Sequence, residues 1–249
     1  VVVGAGGFGS AGSTEPGELT LSTGLECRHL AYRYPNADHT PLNGFLLQKI
    51  DRVFPAGQVV LISGISGAGK STLLHLLAGL RRPTQGEILA ASQPVSRWVA
   101  AHRDRWRRRV GIIFQQDHLV SGLSVLENVI LPLIPRSGEP GEWRSKGMDI
   151  LTRLNAHQLA GQAVTALSGG QRQRVAAARA LVDAPDYIMA DEPTAHQDPD
   201  NARLVGRLLR QAADRGAVVV VAAHDRHVEE WIAVDQHLKL DNGTLQPVP

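Results

Sequence analysis

The chain has 249 residues, 43% of them hydrophobic, with 26 basic against 24 acidic side chains and a formal net charge of +2. That length allows a substantial core, as one large domain or two close-packed lobes, while the near balance of charge supplies no strong basic field for a nucleic-acid partner. Cys27 is the only cysteine, which excludes an intrachain disulfide and points to a reducing compartment, and no run reaches the roughly 18 consecutive apolar residues of a membrane-spanning helix.

Such a chain is expected to be soluble by itself, so that any work at a membrane requires another chain to provide the spans. Residues 1–24 start Val-Val-Val without a Met and read as a flexible leader or a fragment of something upstream. Gly4, Gly6 and Gly9 have the spacing of a dinucleotide-binding fingerprint. A Gly, Ser, Thr and Pro-rich stretch follows instead of the helix that fingerprint needs, so it reads as a chance match.

Leu25 to Tyr34 and Phe45 to Phe54 read as strands of a small antiparallel layer, joined through the turn-rich Pro35-Asn36-Ala37-Asp38. Tyr34, where that layer ends, suits ordinary sheet packing and stacking on an adenine ring equally. Val59 to Ile62 is an apolar run typical of a buried parallel strand. It leads into Gly64-Ile65-Ser66-Gly67-Ala68-Gly69-Lys70-Ser71, then Thr72 and the helical spacing of Leu73, Leu74, Leu76 and Leu77. Glycines let the backbone wrap with its N–H groups inward, and the helix adds the positive end of its dipole. The loop is therefore built for polyphosphate, with Lys70 placed to reach the β- and γ-phosphates and the Ser71 hydroxyl to hold Mg²⁺.

Glu87 to Ala90 is a short strand, and Trp98 to Arg109 a charge-dense helix whose arginines read as a solvated face, with a phosphate or lipid-headgroup patch as the minority alternative. Val110 to Phe114 returns to strand character and ends at Gln115. From Ser124 to Asp183 the pattern is mostly helical: a capping box opens a first helix at Ser124, Glu142 to Leu154 suggests a second, and Ser168 to Leu181 a third. A helical block between strands suggests a second lobe, at about residues 118–182. Asp186 to Ala190 resumes the core as a strand, Asn201 to Arg215 is a helix, Ala217 to Ala223 is another apolar strand, and His237 to Pro249 is a closing hairpin turned at Asp241-Asn242-Gly243.

The strand before Asp191 and Glu192 delivers two acids to its C-terminal end. Beside a phosphate loop these suit Mg²⁺ anchoring by Asp191 and activation of the attacking water by Glu192. Between loop and acids lies Leu167-Ser168-Gly169-Gly170-Gln171, a second anion site at a helix N-terminus, although Ser-Gly-Gly also fits a plain helix cap. This pentapeptide shortly before an Asp-Glu strand end resembles the signature of ABC-transporter ATPase domains, and the resemblance covers nearly the whole chain from Leu25.

The resemblance implies an α/β fold, with a P-loop NTPase (RecA-like) core, an antiparallel β layer and an inserted α-helical subdomain. It also implies head-to-tail dimers around two ATP, with Ser168, Gly169, Gly170 and Gln171 of one molecule completing the other's site. Gln115 resembles the glutamine that touches Mg²⁺ and the water, and His224 the switch histidine that bonds γ-phosphate. Tyr34 resembles the adenine-stacking aromatic, and Asp198 the retained aspartate of the loop after Glu192. That loop reads Ala195-His196-Gln197-Asp198 where many relatives have Ser-Ala-Leu-Asp.

Phe114 to Leu119, Leu123 to Val129 and Leu131-Pro132-Leu133 resemble the lipoprotein-releasing, macrolide-exporting and cell-division branch, although importer ATPases share much of the pattern. The expectation is an ATP hydrolase peripheral to the cytoplasmic face of the cell membrane, driving a transmembrane permease as a homodimer, with no nucleic acid bound. The alternatives are an importer ATPase, a soluble ABC ATPase acting on DNA or ribosomes, which usually carries two cassettes or a long coiled-coil insertion, and a P-loop kinase.

Overall fold

The computed structural model describes residues 24–35, 44–97, 100–195, 197–224 and 226–248. The fingerprint glycines, the turn at residues 36–38 and His196 lie outside them. Two sheets and two apolar clusters organise the rest.

The larger sheet has six strands: β3 (Val59–Ser63), β5 (Val110–Ile113), β6 (Tyr187–Asp191), β7 (Val218–Ala223), β8 (Gln236–Asp241) and β9 (Thr244–Pro247), in the order β5-β6-β7-β3-β8-β9. All pairings are parallel except the β8–β9 hairpin. The three central strands are apolar at nearly every position because both faces are covered. Val59, Leu61, Ile188, Ala190, Val219 and Val221 face one cluster, and Val60, Ile62, Tyr187, Met189, Val218 and Val220 the other. That is the two-residue alternation of a strand read on both sides at once.

The second sheet is antiparallel, in the order β2-β1-β4, with β1 Leu25–Tyr32, β2 Leu47–Phe54 and β4 Gln85–Ala90. Its inner residues Leu25, Leu30, Leu47, Ile50, Phe54 and Ile88 pack over α1 (Lys70–Leu77) and the second face of the larger sheet. The strand read at Glu87 to Ala90 thus starts two residues earlier and joins the antiparallel layer, a sheet the sequence reading did not give it, and β1 stops at Tyr32, two residues early. Beyond it the Arg33 N–H leaves the ladder and donates to Thr84 Oγ1 at 3.1 Å.

Helix α2 (Ala100–Arg107) is shorter than predicted. Trp106 anchors it, fully buried with its ring 4.5 Å from that of Tyr187. Arg105, Arg107 and Arg108 are exposed, as the solvated-face reading expects, whereas Arg109 is half-buried and paired to Asp186 at 2.5 Å.

On the other face lie α3 (Val125–Ile130), α4 (Pro140–Arg153), α5 (Gly169–Leu181) and α6 (Pro199–Asp214). Ser124 caps α3 with the predicted capping box. Helix α4 starts at Pro140, two residues before the sequence reading, because proline with its missing N–H suits the first helical position. Helices α3, α4 and α5 pack on one another, and their apolar residues are continuous with those of the sheet and α6 in a single cluster. Among the described residues no helix is long and apolar enough to cross a membrane.

Candidate active site

The strand order brings the C-terminal ends of β3, β6 and β7 side by side, the usual position for a ligand crevice in an open parallel sheet. The cleft there has a volume of about 1070 Å³. It is lined by Tyr34, Gly64, Ser66, Gly67, Gly69, Lys70, Ser71, Thr72, Gln115, Asp191, Glu192 and His224, so one crevice collects nearly all the residues predicted for the phosphate, metal and water. Ala68 is the exception. Its side chain packs on the apolar cluster behind the loop, and its N–H turns back to Ile65 O at 3.2 Å.

The loop's course depends on Gly64 and Gly69. A Cβ on Gly64 would lie 2.5 Å from Leu240 O, and Gly69, which precedes α1, has φ +103°, a conformation open mainly to glycine. Lys70 is buried, and its Nζ donates to Gly64 O at 2.7 Å and Ile65 O at 3.1 Å, so the ammonium sits inside the ring of the loop. Ser71, one residue on, hydrogen-bonds the Asp191 carboxylate. Asp191 is buried at the end of β6. Burial pushes its carboxyl above the ordinary carboxylate range; the Ser71 hydroxyl opposes this, and the neighbouring Glu192 charge adds to it.

Glu192 takes φ +50°, a strained choice for a residue with a Cβ, and its N–H still reaches Ala222 O at 2.9 Å. Its Oε1 accepts the His224 backbone N–H at 2.8 Å and faces His224 Nδ1 at 2.7 Å. The two residues predicted for hydrolysis are therefore bonded to each other at the ends of adjacent strands. The Tyr34 hydroxyl lies 2.8 Å from Thr72 Oγ1, and the ring meets Tyr32 edge-on at 5.2 Å with the Arg81 guanidinium 5.0 Å from its centroid. Those contacts fix the ring at the cleft margin, where it remains partly exposed.

The signature residues are elsewhere. Ser168, Gly169, Gly170 and Gln171 line a second cleft of about 490 Å³ with Arg174, Gln197, Asp198 and Asn201, and none of these residues borders the first. Ser168 does cap α5: its Oγ accepts the Gln171 N–H at 3.3 Å while Gln171 Oε1 accepts the Ser168 N–H at 2.9 Å. The plain capping reading is thus correct locally. It accounts for Ser168 and Gln171 but not for Gly169, where an added Cβ would meet nothing among the described residues within 4 Å. Asp198 caps α6, and the Asn201 N–H at 3.0 Å holds its carboxyl below the ordinary range.

Sequence reasoning missed Arg174, whose buried Nε has no hydrogen-bond partner among the described residues and whose guanidinium burial pulls below its usual pKa. It also missed the cleft wall contributed by Lys239, Gln246 and Val248. Those three sit on the closing hairpin, and only the pairing of β8 with β3 puts them at the nucleotide cleft.

The comparisons agree with this geometry. The model of the ABC transporter family matches residues 47–195. The lipoprotein-releasing system ATP-binding protein LolD of Idiomarina loihiensis is 34% identical over 223 residues, covering 89% of this chain and 96% of that protein. Among solved structures, the ATP-binding cassette MJ0796, a dimer in a post-hydrolysis state bound to ADP and Pi, aligns with a TM-score of 0.82 at 30% identity, over 89% of this chain and 96% of that one. CbiO1 from Clostridium perfringens, part of the transporter complex CbiONQ, aligns with a TM-score of 0.76 at 27% identity, over 90% and 87%. With the phosphate loop, the acid pair and the signature each in place on that fold, the chain belongs to the ABC transporter family, as an ATP-hydrolysing cassette whose pattern fits the lipoprotein-releasing and macrolide-exporting branch.

Proposed function

We propose that this chain is the ATPase subunit of a lipoprotein-releasing or related export system, working as a head-to-tail pair at the cytoplasmic face of a membrane on a separate permease. The observation that carries the reading is the separation of the two anion sites. Lys70 and Ser168 border different clefts with no residue in common, so one molecule alone does not bring them to one nucleotide. A two-fold pair, each member offering its signature to the other's phosphate loop, satisfies both. The dimeric cassette MJ0796 and the 34% identity to LolD support the pairing and the branch.

In this reading the loop's N–H groups and Lys70 hold the ATP phosphates, and the Tyr34 ring lies against the base. Ser71, Asp191 and Gln115 offer oxygen donors on one wall of the cleft, a set that fits Mg²⁺. That ion, when bound, neutralises charge on the transferring phosphoryl group. Glu192 takes the proton of the attacking water, while His224 orients that carboxylate and bonds the γ-phosphate. The block at residues 118–182 forms a helical subdomain within the cassette spanning residues 25–249, and carries the signature towards the partner.

The test is Glu192→Gln in the full chain. Turnover should fall by about 10²- to 10⁴-fold with ATP binding intact, and ATP should convert the variant to a dimer in sedimentation velocity. A variant that stays monomeric at saturating ATP overturns the pairing. Retention by detergent-solubilised membrane subunits, and not by nucleic acid, tests the permease.

A further inference from the structure

Three side chains that the hydrolytic reading does not use form a hydrogen-bonded chain beside the nucleotide cleft. Ser63 ends β3, immediately before Gly64, and its Oγ lies 2.8 Å from His237 Nε2 on β8. His237 Nδ1 lies 2.9 Å from Glu229 Oε1, in the turn Arg226–Glu230 that follows His224. The imidazole side chain is only 12% exposed. The Glu229 carboxylate accepts from Nδ1, and Nε2 bonds the Ser63 hydroxyl, whose Oγ also stands 3.5 Å from Leu238 O. The three groups sit on three elements, with Ser63 174 positions before His237 in the chain.

We propose that His237 is a positioning residue for ATP hydrolysis, tying the entry of the phosphate loop to the segment that carries the switch histidine. This rests on the reading of Glu192 and His224 as the hydrolytic pair. Through Ser63, His237 sets the direction in which the chain leaves β3 into Gly64, the glycine whose position against Leu240 O leaves no room for a side chain. Through Glu229 it holds the turn shortly after His224, whose ring and N–H in turn hold Glu192 Oε1. Phosphate binding is spread over many N–H groups of the loop, so it tolerates a small displacement. Hydrolysis depends on one alignment of carboxylate, water and phosphorus, and does not.

The experiment is steady-state ATPase and ATP-binding measurement on the full chain carrying Ser63→Ala, His237→Leu, the double substitution, Glu229→Ala and Glu229→Gln. His237→Leu should lower kcat by about 10- to 100-fold, the cost of a misplaced reacting group, with ATP affinity changed by less than about threefold. The Ser63→Ala/His237→Leu double variant should be no slower than His237→Leu alone, because both break one chain. Glu229→Gln should recover most of the rate lost in Glu229→Ala, since its amide oxygen still accepts the Nδ1 proton. A purely structural role would lower the melting temperature and leave kcat unchanged; that pattern overturns the proposal. Should His237→Leu fail to fold, Ser63→Ala and the Glu229 pair decide by the same criteria. A wild-type chain that hydrolyses ATP beside an unimpaired His237→Leu overturns this inference alone; a wild-type chain without hydrolysis overturns the reading beneath it as well.

Discussion

Ser168→Ala separates the two roles of one hydroxyl, because the same structure contains a second capping serine that costs at least as much stability to remove. Within the chain, Ser168 Oγ accepts the Gln171 N–H at 3.3 Å while Gln171 Oε1 accepts the Ser168 N–H at 2.9 Å. Ser124 caps α3 in the same way, its Oγ accepting the Glu127 N–H at 3.3 Å and Glu127 Oε2 accepting the Ser124 N–H at 2.8 Å. Ser168→Ala removes one long capping bond and leaves the reciprocal one, whereas Ser124→Ala also removes the bond that its Oγ donates to Glu127 Oε2 at 2.7 Å. Ser168→Ala should therefore cost about 0.5–1 kcal/mol, the lower part of the N-cap range, or about 1–4 °C in melting temperature for a chain of this size, and Ser124→Ala at least as much. Their effects on association should differ. If Ser168 also bonds the phosphate of the partner's nucleotide, its loss removes a charge-assisted bond of about 1.5–3 kcal/mol at each of two symmetric sites. The total weakens the ATP-dependent dimer by about 10²- to 10⁴-fold. The assay is sedimentation velocity at saturating ATP, with both alanines built into the Glu192→Gln chain. Equal dimer constants for the Ser168→Ala and Ser124→Ala chains would leave Ser168 as a helix cap and nothing more.

Three further outcomes follow from the same geometry. Burial holds the Asp191 carboxyl above its ordinary range, so the folded chain keeps that proton more tightly than the unfolded chain does. Its contribution to stability is therefore fullest below the unfolded value of 3.8 and is lost as pH rises through the raised folded value. Asp191→Asn should accordingly melt higher than wild type at neutral pH while losing turnover, with the advantage shrinking as the buffer is taken towards pH ~4; a lower melting temperature at neutral pH refutes this. Lys70→Ala should weaken ATP binding by about 10- to 100-fold, the equivalent of one or two charge-assisted bonds, measured by calorimetry. Unchanged affinity would remove the loop from its assigned role. Gly169→Ala places a methyl where nothing among the described residues lies within 4 Å, so it should stabilise the monomer by about 0.5–1 kcal/mol through helix propensity. It should nevertheless impair ATP-dependent dimerisation of the Glu192→Gln chain, and an undiminished dimer would show that the signature glycine meets no partner.

What sequence could deliver here follows from which residues carry their own context. The runs at β3, β6 and β7 are apolar on both faces and bounded by turns, so the strands and the glycines, acids and histidine at their ends were legible without knowing their neighbours. Strand β4 was legible only from Glu87 on, because Gln85 and Gly86 look like turn residues and join the strand only against β1, where Gln85 pairs with Ala31. Arg33 and Tyr34 show the reverse: both continue the residue pattern of β1, yet a side-chain partner at Thr84 and another at Thr72 draw them out of the ladder. The Ser63–His237–Glu229 chain had no one-dimensional signal at all. His237 and Lys239 read as alternating residues of a terminal hairpin, and only the parallel register Leu61–His237 and Ser63–Lys239 sets them beside the strand that feeds the phosphate loop. A motif is visible in sequence when one segment supplies all its atoms, as the loop from Gly64 to Ser71 does. Where a contact is assembled from separate elements, its residues look ordinary until the sheet order is known. The split between Lys70 and Ser168 carries the same logic one level up: each half is legible as a local anion site, and their meeting depends on a second copy of the chain.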